Sequence, residues 1–290
     1  MNVHAEFPKG ESAWRKEYSA FNRGRIYERT RGEDKIATRI ISLSDFHVPY
    51  QKPVEVFSDY AGRVDTLQIN GDLIDATQLS RFPKKYRTSP IEEIITARQY
   101  VIDLIELIRP KNVLINAGNH ELRQGDFIAK AIDNEIQELV PETALDSIFT
   151  DGFTHYDRRT KSKTKYEPLC NVFDDIEITY TGTWWSKIGN IIFCHPKAFN
   201  SGIMKTAEKA LFWFRNEGYN PNALVMAHTH RLGQYDIGNS IIYEQGTCSE
   251  TKKIVYADGM LVNSQVEGFI YLCLDKDGNI IRDKTKLVRI

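Results

Sequence analysis

Five short motifs of histidine, carboxylate and amide side chains run through the chain in a fixed order. Each follows a short run of β-branched or aliphatic residues, so each is expected at the end of a strand. The ends of neighbouring parallel strands share one rim of a sheet, where residues distant in sequence can meet. Five of the seven histidines fall in these motifs. In chain order the motifs are Asp45–His47, Gly71–Asp72, Gly118–Glu121, His195 and His228–His230.

These side chains are suitable ligands for divalent metal ions. Imidazole suits Zn, Fe, Ni and Mn, and carboxylate oxygens suit Mn as well. One carboxylate can bridge two ions, and two ions about 3.5–4 Å apart can polarise a phosphoryl group and activate the water between them. The resulting hydroxide attacks phosphorus in line, and a neighbouring imidazole protonates the leaving oxygen. The motifs therefore predict hydrolysis of a phosphate ester at a dinuclear metal site.

The elements expected to position the first three motifs alternate between strand and helix. Strands are predicted at 36–43, 66–70 and 112–116, each ending just before a motif. Between the last two, Ser89–Glu92 has the form of a capping box with proline at the first helical position. This order of strand, helix and strand predicts a right-handed crossover between parallel strands.

The second half of the chain is predicted to contain more strands. They are expected at 176–180, 188–194, 223–227, 240–243 and 268–274, and helices are expected at 126–140 and 203–217. The polar run 158–165 interrupts the pattern and is predicted to be a solvated loop or an insertion. Trp184 and Trp185 are predicted to pack in the core, with the lining of a groove as the alternative.

Composition places the chain among ordinary globular proteins. Its 290 residues suit one large α/β domain or at most two small ones. A net charge of -1 gives no global attraction to nucleic acid or membranes. The sequence has neither a bilayer-length apolar run nor an apolar signal core, so we expect a cytoplasmic protein without a membrane partner. Its four cysteines lack the spacing of a metal or disulfide framework and are expected to be reduced thiols.

The ordered set of motifs resembles that of the calcineurin-like metallophosphoesterases, from residue 36 to about residue 245. The resemblance implies a mixed α/β fold in which two mixed β-sheets form a sandwich flanked by helices, with the site at one end. We accordingly divide the chain into a polar, charged N-terminal arm at 1–35 and a metallophosphoesterase domain at 36–290. That domain is expected to carry a basic insertion at about 150–186.

The resemblance also implies a role for each motif residue. Two divalent ions are the implied cofactors, with Mn preferred and Fe, Zn or Ni as alternatives. Asp72 is expected to bridge the ions, and His120 is expected to protonate the leaving group. The remaining implied ligands are Asp45, His47 and His230 for the first ion, and Asn119, His195 and His228 for the second.

Departures from the family pattern and local basic residues bear on the substrate. The protein phosphatase branch carries arginines where this chain has Ala76 and Ala117, which disfavours that activity. Arg123, just after the third motif, is instead a candidate phosphate ligand. A basic loop with two aromatic residues follows the second motif, a combination that single-stranded nucleic acid binding uses. The basic residues of this loop are Arg81, Lys84, Lys85 and Arg87.

The preferred interpretation is a metal-dependent phosphodiesterase or nuclease that acts on nucleic acid or nucleotides. The alternative within the same chemistry is a phosphomonoesterase acting on nucleotides or small metabolites. The alternative from another class is a catalytically silent interaction module with the same fold. Silent members typically lose ligands, and this chain retains the full set. The sequence carries no signal for an oligomeric state.

Overall fold

Two mixed β-sheets form the frame of the computed structural model, which describes residues 36–80, 87–131, 141, 143–254 and 265–290. Among these residues, the first sheet contains six strands: β1 (Thr38–Leu43), β2 (Thr66–Asn70), β3 (Asn112–Asn116), β6 (Glu177–Tyr180), β12 (Gly268–Leu274) and β13 (Lys286–Arg289). Their order across the sheet is β13-β12-β1-β2-β3-β6. Strands β1, β2, β3 and β6 run parallel, which confirms the predicted parallel pairing.

The second sheet contains five strands within the described part of the chain: β7 (Trp185–Ile188), β8 (Ile191–Cys194), β9 (Ala223–Met226), β10 (Leu232–Ile237) and β11 (Ser240–Gln245). Their order is β10-β11-β9-β8-β7, with the three central strands parallel and both edge strands antiparallel to their neighbours. The inner faces of the two sheets share one apolar core, to which β1 and β12 contribute from one side and β8, β9 and β11 from the other. The structure therefore confirms the mixed α/β sandwich.

Helices cover the outer faces of both sheets. The described helices are α1 (Pro90–Ile108), α2 (Leu122–Ala131), α3 (Ala144–Asp146) and α4 (Lys205–Asn216). Helix α1 packs on the first sheet through a buried stripe that includes Val101, Leu104 and Ile105. Helix α4 packs on the second sheet through Leu211 and Phe214. Each fully buried side chain of this size stabilises the fold by about 1.5–3 kcal/mol.

The N-termini of two helices differ from the sequence prediction, one in its capping and one in its first residue. The side chain of Ser89 makes no capping hydrogen bond to α1, so the predicted capping box does not form, although Pro90 occupies the first turn as predicted. Helix α2 begins at Leu122, directly after the third motif and before the predicted start at Asp126. The remainder of that predicted helix, 132–140, lies outside the described residues, as does the N-terminal arm at 1–35.

Shorter elements complete the described fold. Short 3-10 or π-helical segments lie at Val54–Tyr60, Thr77–Leu79, Ser147–Asp151, Leu169–Asn171 and Thr251–Lys253. Strands β4 (Phe153–Asp157) and β5 (Ser162–Tyr166) pair as a hairpin that belongs to neither large sheet. The polar run predicted as a loop thus supplies the turn and most of β5, because backbone pairing with β4 satisfies its N–H and C=O groups without burial of side chains. None of the described helices is both long and apolar enough to cross a membrane.

At one end of the sandwich the apolar core gives way to buried amides. Asn70 ends β2 and Asn116 ends β3, and the Asn116 amide donates to the Asn70 side chain over 2.9 Å. The same two amides donate across the sandwich to backbone carbonyls of β8, at Cys194 and Phe193, over 3.1 and 3.2 Å. These bonds hold the carboxyl ends of strands from both sheets at a fixed separation.

Candidate metal centre

The structure brings the five predicted motifs together at this end of the sandwich. Each motif occupies the loop that leaves a parallel strand, as the strand-end rule requires. Three of the loops leave β1, β2 and β3 of the first sheet, and two leave β8 and β9 of the second. The predicted ligands that these loops carry are Asp45, His47, Asp72, Asn119, His195, His228 and His230.

One group of side chains that could hold a metal ion consists of Asp45, His47 and His230, all of them buried. The His230 Nε2 atom lies 3.1 Å from Asp45 Oδ1 and 3.0 Å from His47 Nε2. The His47 Nε2 atom lies 3.8 Å from the same Asp45 oxygen. These are the three residues that the family resemblance assigns to the first ion.

A second group consists of Asp72, His195 and His228. The His195 Nε2 atom lies 3.2 Å from Asp72 Oδ2 and 3.2 Å from Asn119 Oδ1. The Asp72 Oδ2 atom also lies 3.8 Å from His47 Nε2. Asp72 therefore sits between the two groups, where a bridging carboxylate would have to be.

The donor atoms of the cluster are better satisfied by a bound metal ion than by hydrogen bonds to one another. His228 Nε2 is buried without a hydrogen-bond partner among the described residues. Buried polar atoms without partners are destabilising, and a cation bound at such an atom removes that penalty. Imidazole nitrogens and carboxylate oxygens are also the donors that borderline divalent ions accept. Together with the family match below, this geometry supports divalent metal binding.

The backbone of the ligand-bearing loops is strained. Asp45, His47, Asp72, His228 and His230 all have positive φ values, between 47° and 84°. Non-glycine residues rarely adopt this left-handed region, and each such residue costs of order 1–3 kcal/mol unless its surroundings enforce it. The fold therefore holds these ligand side chains in directions that the relaxed chain does not favour.

Two glycines allow the ligand loops to approach each other. Gly71 has φ +83°, and a Cβ atom there would lie 2.6 Å from His195 Nδ1. A Cβ atom on Gly118 would overlap both the backbone nitrogen and the carboxylate of Asp72. The glycines of the second and third motifs are thus required by the close contact between these loops.

Neighbouring residues orient the predicted ligands. The Ser44 hydroxyl donates to Asp45 Oδ2 over 2.7 Å, and the His195 Nδ1–H group donates to the Asn70 carbonyl over 2.8 Å. The second bond leaves Nε2 of His195 facing the cluster, which is the usual way a metal-binding imidazole is oriented. Sequence reasoning missed these roles because they depend on which groups meet in space.

Glu121 connects the loops of the second and third motifs through hydrogen bonds. Its buried carboxylate accepts hydrogen bonds from the backbone N–H groups of Asp72, Gly118 and Ile74, at 3.1, 2.7 and 3.2 Å. Burial and the nearby charge of Asp72 raise the pKa of Glu121 to about 7. The residue belongs to the third motif, but its structural task was not predicted.

The ionisation of the cluster follows from burial and mutual charge. Burial would raise the pKa of Asp72, but His120 and His195 outweigh it and hold that pKa well below its usual value. Burial would lower the pKa of His195, but Asp72 and Asp45 raise it to about 10. Burial and the charge of His195 lower the pKa of His228 to about 4. The centre thus offers ionised carboxylates and a neutral His228 at neutral pH.

His120 borders the cluster with Asp75 and Arg123. Its Nδ1–H group donates to the Asp75 carbonyl over 2.9 Å, and its Nε2 atom lies 3.8 Å from Asp72 Oδ2. Arg123 donates to His120 Nε2 over 2.9 Å and to the Asp75 carbonyl over 2.8 Å. The structure therefore places both the predicted acid and the predicted phosphate ligand at the edge of the centre.

The predicted basic loop is described only at its end. Arg87 is exposed and its guanidinium lies 3.5 Å from the Gln78 carbonyl. Arg81, Lys84 and Lys85 lie outside the described residues.

With this fold and this cluster, the chain belongs to the calcineurin-like phosphoesterases. Residues 38–232 match the model of that family, about two thirds of the chain. The family match and the clustered histidines and carboxylates together support a metal-dependent phosphoesterase. No curated protein matches the chain.

Several solved structures are similar to the chain. They include Vacuolar Protein Sorting 29 from Cryptosporidium parvum, with 14% identity, a TM-score of 0.44, and coverage of 88% of this chain and 99% of that one. Zinc-complexed wild-type Vps29 from Entamoeba histolytica has 16% identity and a TM-score of 0.39, with coverage of 87% and 98%. An archaeal phosphodiesterase has 13% identity and a TM-score of 0.34, with coverage of 87% and 99%. The family assignment rests on the sequence match and not on these similarities.

Proposed function

We propose that the chain is a dinuclear metal-dependent phosphodiesterase that acts on nucleic acid or nucleotides. The position of Asp72 carries this proposal, because its Oδ2 atom lies 3.2 Å from His195 of one ligand group and 3.8 Å from His47 of the other. A carboxylate at that point can contact two ions at once. Mn is the metal that we prefer, and the same imidazole and carboxylate donors also accept Fe, Zn or Ni.

Each of the two ligand groups is proposed to hold one ion. Divalent ions, when bound, would supply Lewis-acid polarisation of the phosphoryl oxygens and an activated water. Asp72 would bridge the two positions. The other ligands would be Asp45, His47 and His230 at one position, and Asn119, His195 and His228 at the other.

His120 is proposed to provide the proton for the leaving oxygen. Its Nδ1–H group is held by the Asp75 carbonyl, so its Nε2 atom points toward Asp72 and the reacting centre. In this structure the Arg123 guanidinium donates a hydrogen bond to His120 Nε2. We assign Arg123 to a phosphate oxygen of the bound substrate, a shift that would leave Nε2 free to hold a proton.

Nucleic acid is the preferred substrate class because basic and aromatic residues alternate in the loop after the second motif. The proposal predicts that oligonucleotide binding weakens steeply with added salt, as phosphate contacts release counterions. Neutralising Lys84, Lys85 and Arg87 together should weaken binding further. Neutralising three basic residues of the β4–β5 hairpin is the matched control. Unchanged binding after the first triple substitution would overturn the assigned role of this loop.

A paired hydrolysis assay with Mn²⁺ tests the proposed activity. A single-stranded oligonucleotide is compared with p-nitrophenyl phosphate, a monoester, and the Asp72→Asn variant is the blank. We expect cleavage of the oligonucleotide that is absent from the blank. Turnover of the monoester alone would replace the proposed activity with that of a phosphomonoesterase on small molecules. No turnover of either compound by the metal-loaded protein would favour a silent interaction module.

A further inference from the structure

A pocket of about 420 Å³ opens directly beside the candidate metal centre. Asn119 and His195, both proposed ligands of the second ion, form part of its wall. A volume of this size is typical of sites that bind small organic molecules. A phosphate group held at the metal centre would therefore have next to it a cavity large enough for a small organic molecule.

Aromatic side chains form much of the pocket. The rings of Trp184 and Trp213 lie 5.2 Å apart and are tilted by 58°, and Phe199 lies on the loop after His195. Trp213 is 44% exposed and Phe199 is 54% exposed, so both rings have faces open to a ligand. Exposed aromatic rings can stack on any nucleobase, because every base has a planar ring.

The pocket also contains a cationic group that suits an anionic ligand. Among its other polar residues, Lys197 pairs with Asp126 at 3.5 Å, Thr206 accepts a hydrogen bond from the Asn200 N–H group, and Asn200 accepts one from the Gly202 N–H group. Lys209 is exposed and forms no ion pair with the part of the chain that the structure describes. A purely apolar ligand would leave this ammonium group without a partner. A nucleotide pairs with it, because its phosphate is anionic.

The pocket wall is tied to the ligand-bearing loops. Arg231 directly follows the last motif, is buried, and donates to the carbonyls of Gly202 and Ser201 over 2.8 Å each. Its guanidinium carbon also lies 5.8 Å from the centre of the Phe199 ring. The ring of Phe199 lies 6.0 Å from that of His228, a proposed ligand. The loop that carries Phe199 is therefore held against the residue that follows the last motif and against His228.

We propose that this pocket binds the nucleobase adjacent to the reacting phosphate. The inference rests on the proposed function, and it adds that the substrate is a nucleotide or a nucleotide unit of a single strand. Trp213 and Phe199 are assigned to contact the base, with Lys209 near the phosphate or its neighbour. In this arrangement the metals determine the chemistry, and the pocket selects an organic group that carries a planar ring.

Two esters with the same leaving group test the assignment. Hydrolysis of thymidine 5′-(p-nitrophenyl phosphate) is compared with hydrolysis of methyl p-nitrophenyl phosphate, in Mn²⁺. The wild type should prefer the thymidine ester by about tenfold or more in kcat/KM, since stacking on aromatic side chains is substantial. Trp213→Ala and Phe199→Ala should each reduce that ratio at least about fivefold. Phe212→Ala is the matched control, because Phe212 is 46% exposed on the same helix but does not line the pocket.

A binding measurement separates this inference from the proposed function. Tryptophan fluorescence of the metal-loaded protein is titrated with thymidine 5′-monophosphate and with 2-deoxyribose 5-phosphate. We expect saturable quenching with the nucleotide at a Kd at least about fivefold lower than that of the sugar phosphate, and loss of that difference in Phe199→Ala. Absence of all hydrolysis together with this base-dependent binding would overturn the activity and leave the pocket assignment standing. Equal binding of the two ligands, or an unchanged ester ratio in both aromatic variants, would overturn the pocket assignment.

Discussion

The metal centre and the pocket beside it are built in different ways. In the metal centre, most proposed ligands are buried, several lie on strained backbone, and neighbours such as Ser44, Asn70 and Glu121 hold them in place. In the pocket, Phe199 and Trp213 are about half exposed and lie on a loop and a helix surface. Under the proposed roles, the fold would fix the chemistry, while substrate selection would depend on side chains that can change without disturbing the frame.

The contrast has an energetic side. Burying carboxylates and holding positive φ values destabilises the folded state, and only a tightly packed sandwich can compensate. Exposed aromatic residues impose no such penalty on folding. Substitutions in the centre should therefore affect metal binding, catalysis or stability strongly, whereas substitutions in the pocket should affect mainly the choice of substrate.

The largest effect is expected for Asp72→Asn. The substitution removes the charge between the two ligand groups and keeps the size of the side chain. We expect phosphodiester hydrolysis to fall to the level of the metal-free protein and the metal content to fall with it. Activity assays and elemental analysis of the same samples measure both. Full metal content with normal turnover in this variant would contradict the bridging role.

His120→Ala should have the next largest effect, which should fall on turnover and not on metal binding. Loss of a general acid typically reduces turnover by about 10²–10⁴-fold. We expect a reduction in that range with both metals retained, because His120 is assigned to the leaving group and not to an ion. His155→Ala, on the β4–β5 hairpin, is the control. An equal loss of metal and activity in His120→Ala would make His120 a ligand or a structural residue instead.

Ser44→Ala should weaken metal binding more modestly. The Ser44 hydroxyl donates to Asp45 Oδ2, and removing such an orienting partner typically lowers metal affinity by about 10–100-fold. A competition titration with a metal-binding dye measures the change. Ser186→Ala removes a buried hydroxyl on β7 and controls for the loss of the group itself. Equal affinities in the two variants would mean that Ser44 does not support the centre.

The smallest effect on function is expected for Glu93→Gln, which should instead change stability with pH. Burial raises the pKa of Glu93 to about 7, although Thr77 donates to its carboxylate from both its backbone and its hydroxyl. A raised folded-state pKa means that the wild type loses stability as pH rises from about 4.5 to 7. Glutamine does not titrate and its carbonyl can accept the same bonds.

We therefore expect Glu93→Gln to match the wild type near pH 4 and to exceed it by up to about 3 kcal/mol at pH 8, at 1.36 kcal/mol per pKa unit. Urea unfolding at several pH values measures this difference. Glu92→Gln, at the exposed neighbouring position, should show no such trend. A constant difference between Glu93→Gln and the wild type across this range would show that burial does not raise the pKa of Glu93.

The sequence predicts the frame of the centre well for a physical reason. Strands β2 and β3 are short aliphatic runs bounded by polar residues, so periodicity and boundaries coincide at 66–70 and 112–116. Parallel strands then place their carboxyl ends together, which brings Asp72 and Asn119 to one rim. The family resemblance adds the second sheet, which the local pattern alone does not predict.

Other features depend on contacts that no local pattern encodes. Positive φ at Asp72, the three backbone bonds to Glu121 and the burial of Glu93 arise only when the loops pack together. The sequence predicts a solvated loop for the hairpin turn and β5, because their side chains are charged. In the structure, backbone pairing with β4 stabilises β5 as a strand. The pocket combines residues from α2, α4 and three loops, so its aromatic wall appears only in three dimensions.

A calorimetric titration of the metal-free protein with Mn²⁺, followed by a diester hydrolysis assay on the same sample, tests the central claim most directly. We predict that two ions bind per chain and that hydrolysis of methyl p-nitrophenyl phosphate appears as the second site fills. Failure to bind Mn²⁺ or any of Fe²⁺, Zn²⁺ and Ni²⁺, or full binding without hydrolysis of any diester, would contradict the assignment of a dinuclear catalytic centre.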